Sequence, residues 1–367
     1  MKKIQILVAS IVLTAFTACT SDVENEQTAS TSKSKSTAKS ALVNPTVYAA
    51  GYGRSTWATQ TAATIWTDGT AFDLTNGVNV GSGWSVFKEG TYVYVLTKEY
   101  SPTGGPTISK VWRNNVLLYT LPTSGSTHPS SLFVSGGIVY VAGTEFGGPK
   151  SIAKLWTNGV ALNLTDGTYN AEANSVYVSG GSIYVAGNED SSTGKNIVKV
   201  WKKTGTTVTP SIISNTSYNC YGKAVFVVGT DVYVGGKQST TTSSYNSKAT
   251  VWKNGVETYL TDGAYDSSVN SVFVAGVNVY AAGYKYNGTN SSALAWKNAV
   301  VTQLSVGSNN AFAYSVFAYG NDVYVGGIEQ NPSYSNVVNV GKIWKNGVQY
   351  FTTSQDYYHN ITSIYVQ

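Results

Sequence analysis

The chain of 367 residues has little of what most enzyme chemistry requires: two histidines, two cysteines and one methionine. Arginine occurs only at Arg54 and Arg113. His128 and His359 are too few for a convincing metal centre by themselves, and both read as solvated residues in connections between repeats. If Cys19 is taken up by a modification, Cys220 has no partner for an intrachain disulfide. It lies in the loop-like stretch Y-N-C-Y-G, where the lack of a base makes it an incidental thiol rather than a nucleophile. No Gly-rich phosphate loop, zinc spacing or EF-hand phrase occurs, so no cofactor or metal is expected. Charged residues make up 12% of the chain, and without a Lys/Arg cluster nucleic acid is not expected as a partner. Prolines such as Pro102, Pro106, Pro122, Pro129 and Pro332 fall in presumed connections, where they spare the β-ladders. No helix-period segment of useful length follows residue 45.

What the chain does have is a repeat. Trp66, Trp112, Trp156, Trp201, Trp252, Trp296 and Trp344 recur every 44 to 51 residues, in versions of the phrase A-x-x-W-K-N-G. A tyrosine keeps the same beat at Tyr48, Tyr94, Tyr140, Tyr184, Tyr233, Tyr280 and Tyr324. Seven residues before it stands an aromatic: Phe87, Phe133, Tyr177, Phe226, Phe273 or Phe317. The consensus S-V-F-V-x-G-x-x-V-Y-V-x-G reads as a hairpin of strands A and B. The Trp run is strand C, and Asn-Gly at 158–159, 254–255 and 346–347 turns it into strand D over 160–165 or 256–261. Four antiparallel strands at this period predict an all-β, seven-bladed β-propeller. The first repeat begins at strand B, with Val47 and Tyr48. The chain ends on a lone strand A, Ser363-Ile364-Tyr365-Val366. Together they complete the seventh blade, Tyr365 supplies the seventh aromatic, and the C-terminal strand pairing in the first blade closes the ring. The alternative is an open array with frayed ends.

The N-terminus predicts three further features. Lys2, Lys3 and the apolar residues 4–16 form a signal peptide, too short for a spanning helix. F-T-A-C, ending at Cys19, resembles the lipobox of bacterial lipoproteins. This implies a signal peptide over 1–18, a lipidated Cys19, and a membrane anchor through several acyl chains. The alternative is an ordinary signal peptide cut after Ala18. Residues 19–45 form a polar linker, rich in Ser, Thr and Lys, that is expected to be disordered, and 46–367 form the propeller. Asp22, Glu24 and Glu26 resemble the acidic stretch after the lipid cysteine in surface lipoproteins of the Bacteroidota. The W-K-N-G…L-T-D-G repeat resembles arrays in lipoproteins of those bacteria. The resemblance implies a cell-envelope location, at the outer membrane and surface-exposed, and implies no activity. The kelch and WD families share the blade plan, but the kelch double glycine occurs only at Gly235-Gly236 and Gly326-Gly327, and the WD dipeptide is missing.

The two ends of such a ring are chemically unequal. The A–B and C–D turns are short and uniform, whereas the B–C and D–A connections vary in length and content. Variable loops on a rigid frame are where binding resides. Tyr100, Tyr169, Tyr218, Tyr245, Tyr265, Tyr284, Tyr286, Tyr334, Tyr357 and Tyr358 are placed in these loops as candidate ligand contacts. Asp68, Asp166 and Asp262 share a turn phrase, so they are read as structural. Glu145, Glu189, Asp190 and Glu329 open B–C loops and are candidates for a glycosidase carboxylate pair. The expected function is a membrane-anchored, non-enzymatic binding or scaffold module for a protein or glycan at the envelope. The alternatives are a polysaccharide-binding or polysaccharide-degrading propeller, or a purely structural envelope component.

Overall fold

A computed structural model describes residues 44–54, 60–122, 125–241, 246–305, 307–331 and 338–367, and Pro45–Gln367 forms one compact unit. The signal peptide, Cys19, the linker up to residue 43, Tyr245, Tyr334 and Pro332 lie outside the described residues. The described residues form seven four-stranded antiparallel sheets. Six sheets are continuous in sequence, over 80–120, 126–163, 171–212, 220–259, 267–303 and 311–352, and are blades 1 to 6. Blade 7 takes strand A from His359–Val366 and strands B to D from Val47–Gly53, Ala62–Thr67 and Thr70–Asp73. Tyr365 lies opposite Tyr48 in that junction. Thr46 and Gln367 exchange backbone hydrogen bonds of 2.7 and 3.0 Å. The ring is therefore closed end to end, and the open array is excluded.

Each repeated anchor has a separate task. Between neighbouring blades lies an apolar cluster. In five of these clusters the strand-B tyrosine of one blade is joined to the strand-C tryptophan of the next: Tyr94 with Trp156, Tyr140 with Trp201, Tyr184 with Trp252, Tyr280 with Trp344, and Tyr324 with Trp66. Burying one indole removes roughly 200 Å² from water, on the order of 5 kcal/mol as an upper value before chain entropy. Strand A is innermost and touches the A strands of both neighbouring blades. Its aromatics therefore meet around the axis. Phe87, Phe133, Tyr177, Phe226, Phe273, Phe317 and Tyr365 form a closed collar with consecutive ring centroids 4.5–5.2 Å apart.

A second repeated motif lies next to the collar. The serine of S-V-F accepts the backbone N–H that follows the equivalent position in the next blade. Ser85 serves Leu132, Ser131 serves Val176, Ser175 serves Val225, Ser271 serves Val316, Ser315 serves Ile364, and Ser363 serves Val86. Blade 4 carries Ala224 at this position and breaks the series.

The C–D turns match their sequence signal. Asn158 and Gly159 have φ of 46° and 82°, and Asn254-Gly255 and Asn346-Gly347 repeat the pattern, as tight hairpin turns require. The Asn side chain also accepts an N–H near the start of strand B, at 2.9 Å from Val139, 2.8 Å from Val232 and 2.9 Å from Val323. Asp68 takes this place in blade 7, accepting from Val47 at 2.8 Å. It is thus a C–D turn residue, distinct from Asp166 and Asp262, which follow strand D and accept N–H groups two residues on. In blade 5 the turn is Asn298-Ala299, and Ala299 holds φ of 65°. A left-handed alanine costs about 1–2 kcal/mol. Ala299→Gly is therefore expected to raise stability by about 1 kcal/mol in a denaturant titration, after the entropy cost of glycine.

Two boundaries differ from the sequence reading. Strand D is shorter, Val160–Asn163 and Val256–Tyr259, because the following residues leave the ladder for the D–A turn. Strand A is longer, running over Ala171–Ser179 in blade 3, for example, and beginning four residues before the S-V-Y run. Pro129 consequently lies inside a strand A, Ser126–Ser135, at an irregularity in its pairing.

Candidate functional site

That irregularity is common to all seven blades. The A–B ladder skips one strand-A residue in each: Trp84, Ser130, Asn174, Lys223, Asn270, Tyr314 and Thr362. A bulge leaves its extra residue unpaired and re-aims the side chain. Because strand A is innermost, the bulge residues form a tier around the channel, on the variable-loop side of the aromatic collar. The repeat is chemically heterogeneous here, and none of the seven is aliphatic.

Strand B supplies the glycine that allows the bulge. A Cβ at Gly51, Gly187, Gly236, Gly283 or Gly327 would lie 1.8–2.1 Å from a strand-A carbonyl oxygen just before the bulge. This is the role of the final Gly of V-Y-V-x-G. Blade 1 carries Thr97 instead, and its glycine is across the ladder at Gly83.

Three members of the tier lock it together. Asn174 donates to the Gly222 carbonyl at 2.8 Å, Asn270 to that of Ala313 at 2.9 Å, and Thr362 to that of Gly83 at 2.8 Å, in each case across to the next blade. Two others are uncommitted: among the described residues Lys223 makes no hydrogen bond or ion pair, and the Tyr314 hydroxyl makes no hydrogen bond. Trp84 is 37% exposed. The Lys98 ammonium lies 5.2 Å from its ring centroid.

Above the bulges, cross-strand neighbours continue the same wall: Ser82 with Lys98, Glu172 with Asn188, Tyr221 with Lys237, and Asn360 with Tyr52. An aromatic sector runs from blade 5 to blade 7. Tyr284 meets Phe312 at 5.1 Å, Phe312 stacks on Tyr314 at 6.3 Å, and Tyr52 stacks on Tyr358 at 6.1 Å. Asn339 donates to Tyr358 and Asn360 at 2.6 and 3.1 Å, and Asn360 donates to Tyr52 at 2.5 Å. Burial, followed by the neighbouring phenols, pushes the Tyr52 hydroxyl far above its ordinary pKa. Burial and Tyr358 raise Tyr314 to about 12. The polar sector carries Glu172, Asn174, Asn188, Lys223 and Lys237. A cavity of ≈ 480 Å³ opens beside it, lined in part by Phe146, Asn170, Glu172, Asp190 and Tyr221.

The charges here are few. Lys237 is neutralised by Asp266 at 2.9 Å, and Asp266 also accepts from Tyr284 at 2.7 Å. Lys223 is exposed by area, yet crowding by neighbouring atoms lowers its pKa, with Glu172 partly opposing. Both observations hold for an ammonium in a recess open to water. Burial likewise lowers Lys98.

The tyrosines expected in the loops divide into three groups. Tyr284 and Tyr286 are strand-B residues and Tyr100 ends a strand B; all three belong to strands because the B strands run two to three residues further than their consensus. Tyr284 and Tyr358 join the aromatic sector, and Tyr100 lies near enough to raise the Tyr52 pKa. Tyr265 and Tyr286 form an edge-to-face pair at 6.1 Å on the blade-5 rim. Tyr169, Tyr218 and Tyr357 are half-buried in D–A connections, with Tyr218 packed on the cluster between blades 3 and 4. Tyr52, Trp84, Lys98, Lys223 and Tyr314 were not among the expected contacts.

The remaining candidates have structural roles. Glu145 pairs with Lys154 at 2.6 Å, Glu189 with Lys199, Glu329 with Lys342, and Glu99 with Lys110 at 2.6 Å. Each pair joins strand B to strand C within one blade, so these carboxylates serve the repeat. Asp190 accepts from Asn170 at 3.0 Å. Cys220 is a buried strand-A residue, not a loop thiol, and burial raises its pKa to about 11, which makes it unreactive. His128 and His359 are also strand-A residues, in blades 2 and 7. His128 packs on Phe146 at 4.8 Å, and the Nδ1 of His359 contacts the Tyr357 carbonyl at 2.9 Å. No cluster of metal-ligating side chains occurs among the described residues.

The fold and this vestibule define a seven-bladed β-propeller with a chemically varied central recess at one end. The chain matches no protein-family model and no curated protein sequence.

Proposed function

We propose that the protein is a bacterial envelope lipoprotein, anchored through Cys19, whose propeller is a non-enzymatic binding module. The observation that carries this reading is the tier of seven bulge residues of six types, set in an otherwise regular frame at the same end as the variable loops. Selection for packing alone repeats a residue, as it does for the tryptophans. The tier instead carries Trp, Lys, Tyr and amides, the residue types of a recognition surface. The ion pairing of Glu145, Glu189 and Glu329 removes the main support for a hydrolase.

The anchor and the recess are compatible. Val47 begins a strand B, so the chain enters the propeller at the end bearing the A–B turns, opposite the vestibule.

Two measurements test the proposal. Cys19→Ala should move the protein from the membrane fraction to the soluble fraction, and full membrane retention would contradict the anchor. Polysaccharides incubated with the full chain should be retained without new chain ends, and reproducible turnover would overturn the non-enzymatic reading.

A further inference from the structure

We propose that the vestibule binds a uronate-containing oligosaccharide, with sugar faces against Trp84 and Tyr314 and a carboxylate on Lys223. This rests on the binding-module reading and names its ligand class.

The recess excludes one common competitor. An extended peptide recognised through its backbone needs a free strand edge. The inner edge of strand A is occupied at the tier for its N–H groups in six blades and for its carbonyls in three. Its N–H groups are taken by the Oγ of Ser85, Ser131 and Ser175, and its carbonyls by Asn174, Asn270 and Thr362. Recognition therefore runs mainly through side chains.

Those side chains have a consistent chemistry. The aromatic sector offers rigid ring faces, held by the Tyr358–Asn339–Asn360–Tyr52 hydrogen-bond chain. Rings of this kind pack against the C–H faces of a pyranose, while amides and phenols satisfy hydroxyls. The recess also holds two ammonium groups without a carboxylate partner, Lys98 beside Trp84 in blade 1 and Lys223 in the polar sector. Eight lysines of the described residues form ion pairs, Lys237 in the recess among them, whereas Lys98 and Lys223 form none. An ammonium in a crowded recess is poorly compensated until an anion arrives. Glu172 is the one carboxylate that acts on Lys223, but it forms no ion pair with it and accepts from Asn188 at 3.3 Å. A neutral sugar would leave both ammonium groups unmatched, whereas a uronate matches charge and ring face together.

The test is calorimetric titration of the full-length protein with trigalacturonate, cellotriose and hexaglutamate. Trigalacturonate is expected to bind, and the other two at least about tenfold more weakly, the scale of one lost charged contact. Lys223→Gln and Tyr314→Ala should each weaken trigalacturonate by about tenfold with an unchanged melting curve. Lys223→Arg and Tyr314→Phe keep the charge and the ring and should bind within a few-fold of the parent. Hexaglutamate binding as tightly as trigalacturonate would overturn the proposal in favour of an acidic peptide. Equal binding of cellotriose, or full affinity in Lys223→Gln, would also overturn it. Binding of none of the three refutes the ligand class alone. The binding-module reading fails separately, by turnover of a polysaccharide.

Discussion

Deleting residues 363–367 is expected to unfold the propeller. The deletion removes half of strand A of blade 7. Ile364 and Val366 are 4% and 1% exposed, and Tyr365 touches both Phe87 and Phe317 in the collar. Ser363 caps the Val86 N–H of blade 1, and Ser315 of blade 6 caps the Ile364 N–H. Losing three large core side chains costs roughly 8 kcal/mol, against a total stability of about 5–15 kcal/mol for an ordinary domain. The strand also connects blades 6 and 1, so its loss exposes the strand-B edge of blade 7. The measurement is a thermal melt of the deletion beside the parent, and an unchanged midpoint would sink the closure argument. A circular permutant separates loss of the strand from the position of the chain ends. Gln367 and Thr46 are already backbone partners, so a short Gly/Ser linker can join them. The chain is then opened in the exposed blade-3 loop at residues 191–195. All seven blades survive, and the melting temperature should stay within about 5 °C of the parent.

The collar shows why the ring was legible in the sequence. Residues that pack at a fixed depth must recur at a fixed phase, so Tyr365 was recognisable as the seventh aromatic from its spacing alone. The Asn-Gly turns were legible for a similar reason, since positive φ at two consecutive positions restricts composition strongly. The vestibule is not legible from the loops, because its variable residues sit in strands. A signal for it existed. In A-E-A-N-S-V-Y the small buried residues Ala171 and Ala173 are followed by Val176, a step of three where strand alternation demands two. A-F-A-Y-S-V-F repeats the slip at Ala311, Ala313 and Val316. The residue inside each slip is the bulge, Asn174 or Tyr314. The glutamates were misleading in the opposite sense. Glu145 and Lys154 lie nine residues apart, and only the strand register makes them partners. Ligand identity has no such signal, because it depends on residues from blades far apart in sequence.

Gly187→Ala is the second substitution expected to have a large effect, and it tests how the bulge is encoded. A Cβ there would lie 1.8 Å from the Glu172 carbonyl oxygen, 2.9 Å from its carbon and 3.1 Å from the Ala173 Cα. All three are backbone atoms, so no side chain can turn aside. Strand A must move away from strand B or lose its bulge. The cost is expected near the top of the range for overpacking, about 3 kcal/mol, read as a lower denaturant midpoint. Gly194→Ala is the control. Gly194 has φ of 73° and nothing within 4 Å of a new Cβ, so it should lose only the left-handed penalty of about 1 kcal/mol. Gly187 does not have a positive φ, so a cost at Gly187 no larger than at Gly194 would show that strand A gives way easily and that the close approach does not by itself keep glycine at the final position of V-Y-V-x-G. If the costs differ as expected, that repeated glycine is part of the frame of the vestibule. Without it strand A could not set its unpaired residue aside, and Asn174 could not reach the Gly222 carbonyl across the blade interface. The repeated residues would then contribute to recognition indirectly, by holding seven variable side chains at one level around the axis.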